Sequence, residues 1–322
     1  MRPVRIGVLG CADIARRRML PAMAAQEGVE IAAIASRDAA RARELAGQYG
    51  VSPHQSYGDL LERDDVDAVY IPLPAALHAQ WANAALRAGK HVLAEKPLTT
   101  SLAETEGLLA LAAKSGLALM ENVMFVHHSQ HAAIRRLVAD GAIGRLRAFH
   151  ATFAIPGLPD GDIRYNAELG GGALWDTGVY PVRAALYFLG DALEVVGATL
   201  GAHGGRQVDT AGAALLRTPD GVSAQLSFGL DHGYRSAYEL WGSLGRITVE
   251  RAFTPPADHQ PRVRIERQGS VEELALPADD QVAATVRAFA AAVRGESVPD
   301  PLSLRQAWLL DELRACAAKD SR

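Results

Sequence analysis

The sequence predicts an α/β protein of two domains: a doubly wound parallel sheet over residues 1–122, then an α+β domain with an open, mainly antiparallel sheet over residues 123–322. Three observations predict it. From residue 4 to about 122 short apolar runs alternate with amphipathic helical stretches, the pattern of βαβ units. From Leu193 to Leu276 strands follow one another across turn signals such as Pro219-Asp220-Gly221 with no helical crossover between them, as in an antiparallel sheet. At 322 residues the chain is also long for one ordinary core.

The first half reads as five strands, Val4 to Leu9, Val29 to Ala35, Ala68 to Ile71, His91 to Glu95 and Leu117 to Glu121. Its helices carry end signals. Asp38 is placed as an N-cap with Gly50 at the stop, Gly89 closes a helix from His78, and Ser101 with Glu104 has the spacing of a capping box. Beyond Asn122 a helix from about Gln130 to Asp140 leads into Arg145 to Ala154, whose alternation marks a half-buried strand. A loop with Pro156, Gly157, Pro159 and Gly161 follows, then glycines 170 to 172 and a helix reaching Leu189, with Pro181 predicting a kink. Helices near 281 to 294 and 303 to 316 end the chain and are placed with the second domain, or packed back on the first.

Composition narrows the function. Lys and Arg number 33 against 37 Asp and Glu, a formal charge of -4 with no long run of one sign, which argues against nucleic acid or anionic membrane as partner. The two cysteines, Cys11 and Cys316, lie far apart without C-x-x-C spacing, so neither a disulfide framework nor a metal site is implied and a reducing cytoplasm is expected. The apolar run Ile6 to Ala12 stops at Asp13 and reads as a strand rather than a signal peptide. No stretch approaches a membrane span.

The first strand runs into Gly10-Cys11-Ala12-Asp13-Ile14-Ala15 and then a helix. This is the G-x-G-x-x-G/A dinucleotide fingerprint of a Rossmann domain with Ala12 at its second glycine. Gly10 allows the tight turn, position 12 brings backbone to the pyrophosphate, and the helix N-terminus adds N–H donors and positive dipole. The second strand ends Ile34-Ala35-Ser36-Arg37. A hydroxyl and a guanidinium there suit a 2′-phosphate, which favours NADP(H) over NAD(H). The competing reading makes Ser36 and Arg37 the start of the next helix and Asp38 the acid that binds the ribose.

The fourth strand ends Glu95-Lys96-Pro97, at the sheet edge where ligands of open parallel sheets bind. Lysine is rare in this chain, the whole set being Lys90, Lys96, Lys114 and Lys319. An ammonium at Lys96 can polarise a ketone oxygen or protonate it as hydride reaches carbon. Downstream, Asp176 and Tyr180 are four residues apart on one helical face, with Arg183 three further on. A carboxylate and a phenol presented together can hydrogen-bond sugar hydroxyls, and the phenol can also donate to a carbonyl.

The ordered set of Rossmann start, Glu95-Lys96-Pro97, Glu121-Asn122 and the glycine segment leading to Asp176 and Tyr180 resembles the glucose-fructose oxidoreductase, inositol dehydrogenase and rhizopine catabolism (Gfo/Idh/MocA) family, over nearly the whole chain. The resemblance implies a C-terminal domain whose open sheet often makes dimer or tetramer contacts, Lys96 as the catalytic lysine with a cis bond before Pro97, and Asp176 and Tyr180 as substrate residues. Many relatives carry histidine at the position of Tyr180, so the proton donor stays open between Lys96 and Tyr180. Pro72, Leu73, Pro74, His78 and Trp81 fall where the family lines its cofactor pocket. Four segments, 10–15, Met120-Glu121-Asn122, Gly161-Asp162-Ile163-Arg164-Tyr165 and Gly178-Val179-Tyr180-Pro181, resemble the subgroup of nucleotide-sugar 3-ketoreductases of deoxysugar biosynthesis. That resemblance implies Arg164, Tyr165, Asp176 and Tyr180 on the sugar, with Arg235 as a cation for the diphosphate.

The leading expectation is therefore NADPH-dependent reduction of a keto group on a nucleoside-diphosphate-linked deoxyhexose, by a homodimer or homotetramer. A dehydrogenase of a free sugar, inositol or dihydrodiol is the second reading, and a cofactor-binding sensor without turnover is the third.

Overall fold

The structure is a computed structural model that describes residues 2–320. Two compact units divide it: Met1–Val123 with Val282–Leu304, and Met124–Gln281 with Arg305–Arg322.

The first unit is built on a six-stranded parallel sheet. Its strands are β1 (Val4–Leu9), β2 (Val29–Ala35), β3 (Ser52–His54), β4 (Ala68–Ile71), β5 (His91–Glu95) and β6 (Leu119–Asn122), in the order β3-β2-β1-β4-β5-β6. The order reverses beside β1, which makes the carboxyl ends of β1 and β4 the switch point of a doubly wound sheet. Alternation sorts the side chains: Leu9, Val69, Ile71, Val92 and Ala94 join one apolar core, whereas Tyr70, Glu95 and Asn122 belong to the other face.

Three local readings are corrected. There are six strands, not five. The extra one, β3, is only three residues long and carries Pro53 at the sheet edge, where a missing donor costs no ladder bond. β6 begins at Leu119 rather than Leu117, because Gly116 takes the left-handed conformation and the N–H of Leu117 returns to Ala112 O at 3.0 Å to end the preceding helix. The capping box at Ser101 does not form. Ser101 makes no side-chain cap, and its N–H, which Glu104 would need, is donated to Thr99 Oγ1 at 3.1 Å. Asp38, by contrast, accepts from the N–H of Ala40 and Arg41, and Gly50 ends that helix at φ 66°.

The second unit carries an eight-stranded sheet. Its strands are β7 (Leu146–Ala154), β8 (Glu194–Gly201), β9 (Ala211–Arg217), β10 (Ser223–Gly229), β11 (Arg235–Gly242), β12 (Gly245–Glu250), β13 (Arg262–Arg267) and β14 (Ser270–Ala275), in the order β14-β13-β12-β11-β7-β10-β9-β8. Every pairing is antiparallel except β7 with β10. The exception follows from connectivity: the helix Val179–Leu189 crosses over after β7, and the meander β8-β9-β10 then folds back so that its third strand runs alongside β7. Phe149 of β7, Tyr238 of β11 and Phe188 of that helix stack together with centroids 4.9 to 5.9 Å apart. No helix of the described residues is long and apolar enough to cross a membrane.

His131 sits inside this aromatic core, fully buried, with Nδ1 2.8 Å from the Tyr238 hydroxyl. Burial pushes its imidazole down to about 3. The sign follows directly: the unfolded chain binds a proton near the ordinary value and the native one does not, so stability contributed by neutral His131 is present above about pH 6.5 and declines as pH falls toward 3. Urea unfolding of the wild type is expected to lose about 2 kcal/mol more than His131→Phe between pH 7 and pH 5. Equal losses in the two proteins would show that His131 does not set this slope.

Candidate active site

In the first unit the fingerprint turn is shaped as its sequence requires. Gly10 has φ 127°, a conformation L side chains rarely adopt, and a Cβ there would stand 3.0 Å from the side-chain end of Leu73, so the turn after β1 favours glycine. Behind Ala12 the chain enters a helix that opens with a π-helical turn, Ala15–Met19, and continues as Leu20–Ala25. Asp13 lies on the surface in an ion pair with Arg16 at 3.0 Å, and Ala12 O accepts the N–H of Arg16. Burial pushes the thiol of half-buried Cys11 up, which leaves it a packing residue rather than a nucleophile.

Ser36 is buried at the end of β2 and its Oγ accepts the N–H of Asp38 at 3.2 Å. Arg37 is exposed and lies beside Tyr57, whose phenol burial pushes up while the guanidinium works against it. The carboxylate of Asp38 is engaged as the helix cap and with Arg41 at 3.5 Å, which favours Ser36 and Arg37 over Asp38 as readers of a ribose substituent. A Gly10 turn at positive φ, a helix start and a neighbouring guanidinium form a donor set that fits a dinucleotide carrying a 2′-phosphate.

The turns after β4 and β5 are tied together by one side chain. His78 is buried, with Nε2 2.7 Å from Leu73 O and Nδ1 2.8 Å from Pro97 O. Burial pushes this imidazole below its ordinary value, and the two carbonyl oxygens oppose that shift. Pro72 is buried and Pro74 partly so, and Trp81 meets Tyr57 edge-on at 4.8 Å, closing the apolar side of this region. Lys96 is half-buried and is joined to Pro97 by a cis bond. Glu95, buried on the opposite strand face, accepts from the Tyr70 hydroxyl and from Asn122 Nδ2, both at 2.7 Å. Lys90, at the other end of β5, gives its ammonium to the carbonyls of Arg63 and Val66 at 2.6 and 2.8 Å. Scarcity alone thus does not mark a lysine as chemical: Lys90 is buried in the structure of the turn before β4, while Lys96 follows the carboxyl end of β5.

In the second unit the glycine segment is a packing solution. A Cβ on Gly171 would stand 2.5 Å from Arg164 O, and Gly172 has φ 121° beside Asp209. Asp209 then caps the chain beyond: its Oδ2 accepts Leu174 N at 2.7 Å and its backbone O accepts Ala173 N. Burial pushes the Asp209 carboxyl up, against those donors. A π-helical turn, Leu174–Gly178, precedes the helix Val179–Leu189. Such a turn closes i to i+5 bonds, so Asp176 and Tyr180 lie within one turn, and the break in regularity falls just before Pro181. The Tyr180 ring packs on Phe153, Phe253 and Phe125 with centroids 4.6, 5.8 and 6.1 Å away.

Arg164 joins this group, with Nε 2.8 Å from Asp176 Oδ2 and Nη1 3.2 Å from Asp162 Oδ1. Its burial is outweighed by the two carboxylates, which raise the guanidinium further. Tyr165 donates to Asp231, accepts from Leu158 N and lies under the Arg206 guanidinium at 3.8 Å. Arg235 is different. On β11, Ser236 and Tyr238 alternate toward the aromatic core that receives Tyr180, so Arg235 falls on the opposite, exposed face, paired with Glu250 at 3.1 Å. The structure thus places Arg235 on a different sheet face from the one that receives Tyr180. Asp209 and Asp231 hold groups 35 and 66 residues away, and no local pattern marks such partners, whereas Asp162 lies two residues from Arg164.

Comparison with known proteins now bears on the chain as a whole. Residues 4–123 match the oxidoreductase family with an NAD-binding Rossmann fold, and residues 131–248 match the GFO/IDH/MocA C-terminal domain. The chain belongs to the Gfo/Idh/MocA oxidoreductase family. It is 55% identical over 98% of its length, and 96% of the relative's, to a dTDP-3,4-didehydro-2,6-dideoxy-alpha-D-glucose 3-reductase of Actinomadura kijaniata. A protein with the same description from Streptomyces violaceoruber is 54% identical over 98% of this chain and 96% of its own. Among solved structures, the 3-ketoreductase KijD10 of Actinomadura kijaniata, in complex with NADP and TDP-benzene, superposes with a TM-score of 0.95 at 54% identity over 98% of both chains. As a Gfo/Idh/MocA protein the chain is an oxidoreductase with an N-terminal dinucleotide-binding domain and a second, mainly antiparallel one.

Proposed function

We propose that this protein uses NADPH to reduce the 3-keto group of a deoxyhexose carried on thymidine diphosphate. The observation that carries the reading is its full-length similarity to dTDP-sugar 3-reductases, without insertion or loss of a domain. Bound in the first unit, the dinucleotide supplies hydride. Ser36 and Arg37 would hold its 2′-phosphate, and the turn at Gly10, Cys11, Ala12, Asp13 and Ile14 would receive its pyrophosphate. Pro72, Leu73, Pro74, His78, Trp81, Glu95 and Pro97 shape the remaining wall. Lys96 donates to the ketone oxygen, and either Lys96 or Tyr180 gives it a proton as the carbonyl carbon is reduced. Asp176 orients the sugar through its hydroxyls, with Arg164 held against it and Tyr165 beside.

A homodimer or homotetramer built through the open sheet face is part of this proposal, supported by Leu215 and Trp241 standing exposed on that face. A cytoplasmic setting agrees with two free thiols. The test is NADPH consumption with a freshly generated dTDP-linked 3-keto-deoxysugar beside free sugars and inositols. Turnover of the nucleotide-linked ketone alone supports the proposal. Turnover of free polyols alone would transfer the protein to the dehydrogenase reading, and NADPH binding with no turnover would favour a sensor.

A further inference from the structure

The segment that bears Lys96 is gripped from both sides by buried side chains. The peptide unit joining Pro97 to Leu98 is held at its two ends. Its carbonyl oxygen, on Pro97, lies 2.8 Å from His78 Nδ1, and its N–H, on Leu98, is donated to Glu121 Oε1 at 3.0 Å. Neither gripping group is a surface contact: His78 is 1% exposed and Glu121 7%. Glu121 is itself fixed, because Ser303 Oγ donates to its other oxygen at 2.6 Å. The second nitrogen of His78 lies 2.7 Å from Leu73 O, so the ring stands between two carbonyl oxygens, one of which takes the N–H of the neutral form. On the near side of Lys96, Glu95 is anchored by Tyr70 and Asn122. The backbone is thus restrained immediately before and immediately after Lys96 by residues from β4, β6 and the helix His78–Arg87.

A buried carboxylate is a costly acceptor for a backbone N–H and a serine hydroxyl, since desolvating a charge exceeds the gain from a neutral hydrogen bond. A backbone turn could be closed by water or a hydroxyl at lower cost. What a carboxylate and an imidazole add is a fixed peptide plane, and displacement of a reacting group by about 1 Å can cost on the order of a hundredfold in rate.

We propose that Glu121 and His78 are positioning residues that act through Lys96 by orienting the Pro97–Leu98 peptide between them. The proposal rests on the reading that Lys96 acts in the reaction. Glu121→Ala removes the acceptor for Leu98 N–H, and kcat is expected to fall about tenfold to a hundredfold while NADPH affinity, followed by protein fluorescence, changes less than about threefold. E121Q keeps an acceptor oxygen and restores most of the rate. H78A lowers kcat as E121A does, and H78N, which retains a donor near the place of Nδ1, recovers part of it.

The decisive comparison is made in the K96A background. If Glu121 works through Lys96, K96A/E121A is no slower than K96A; a residue with an independent structural role lowers the rate again by its own factor. An unchanged kcat in E121A, or multiplicative losses in the double variant, would overturn the proposal. Should E121A not fold, H78A and K96A/H78A decide by the same criteria. K96A at the wild-type rate removes the underlying reading, whereas slow K96A with wild-type E121A and H78A removes the positioning proposal alone.

Discussion

Lys96→Ala is expected to lower kcat by at least about a hundredfold with NADPH binding retained. Lys96 directly follows β5, next to the switch point where ligands of doubly wound sheets bind, and it is half-buried rather than free in solvent. Its neighbours on the strand do not neutralise it by alternation: Glu95 faces the other way and spends its Oε1 on Tyr70 and Asn122. A positioned proton donor contributes typically 10²–10⁴ in rate. A loss confined to kcat identifies an interaction made in the transition state, while a loss confined to KM would assign Lys96 to ground-state binding. Steady-state rates and NADPH titration of the same preparation give both quantities. Tyr180→Phe, measured alongside, separates the two candidate proton donors: a donor works only while protonated, so the residue whose loss removes the alkaline limb of the pH–rate profile is the donor.

Arg37→Ala is expected to weaken NADPH by about tenfold to a hundredfold and NADH by less than about threefold, as for a charge-assisted contact made only to the 2′-phosphate. Two observations lead there. Asp38, which would bind the hydroxyls of an unphosphorylated ribose, is engaged as a helix cap with Ala40 and Arg41. Ser36 and Arg37 stand at the end of β2, the position that distinguishes the two cofactors in this fold. Raising salt should reduce the NADPH advantage of the wild type, because the guanidinium is exposed and its field is screened. Equal weakening of both cofactors in the variant would return the ribose to Asp38.

Local chemistry made much of this protein readable in its sequence. Four strands, Val4–Leu9, Val29–Ala35, Ala68–Ile71 and His91–Glu95, have the bounds their apolar runs predict, because strands of a parallel sheet covered on both faces are dominated by apolar residues, with polar ones such as Arg5, Glu30, His91 and Glu95 near their ends. Asp38 caps its helix through contacts two and three residues away, so a short window contains the whole interaction. The places of Gly10, Ser36, Arg37 and Lys96 were legible for a related reason: each directly follows or closes an apolar strand run.

What the sequence could not decide depends on partners far along the chain. The capping box was lost to Thr99, which reaches the Ser101 N–H first. The face of β11 that Arg235 occupies is set by register with β7 and β12, and a register is invisible until the strands are paired. Asp209 reaches Leu174 across 35 residues, Glu121 reaches Ser303 across 182, and His78 draws together turns that follow two different strands. The sequence by itself determined where the chain would turn and which strand ends carry charge, because both follow from side-chain periodicity and backbone preference. Only the tertiary structure decided which of those charges are gripped, capped or turned to the outer face, because hydrogen-bond partners are chosen by proximity in space, and burial makes each unpartnered group too costly to leave.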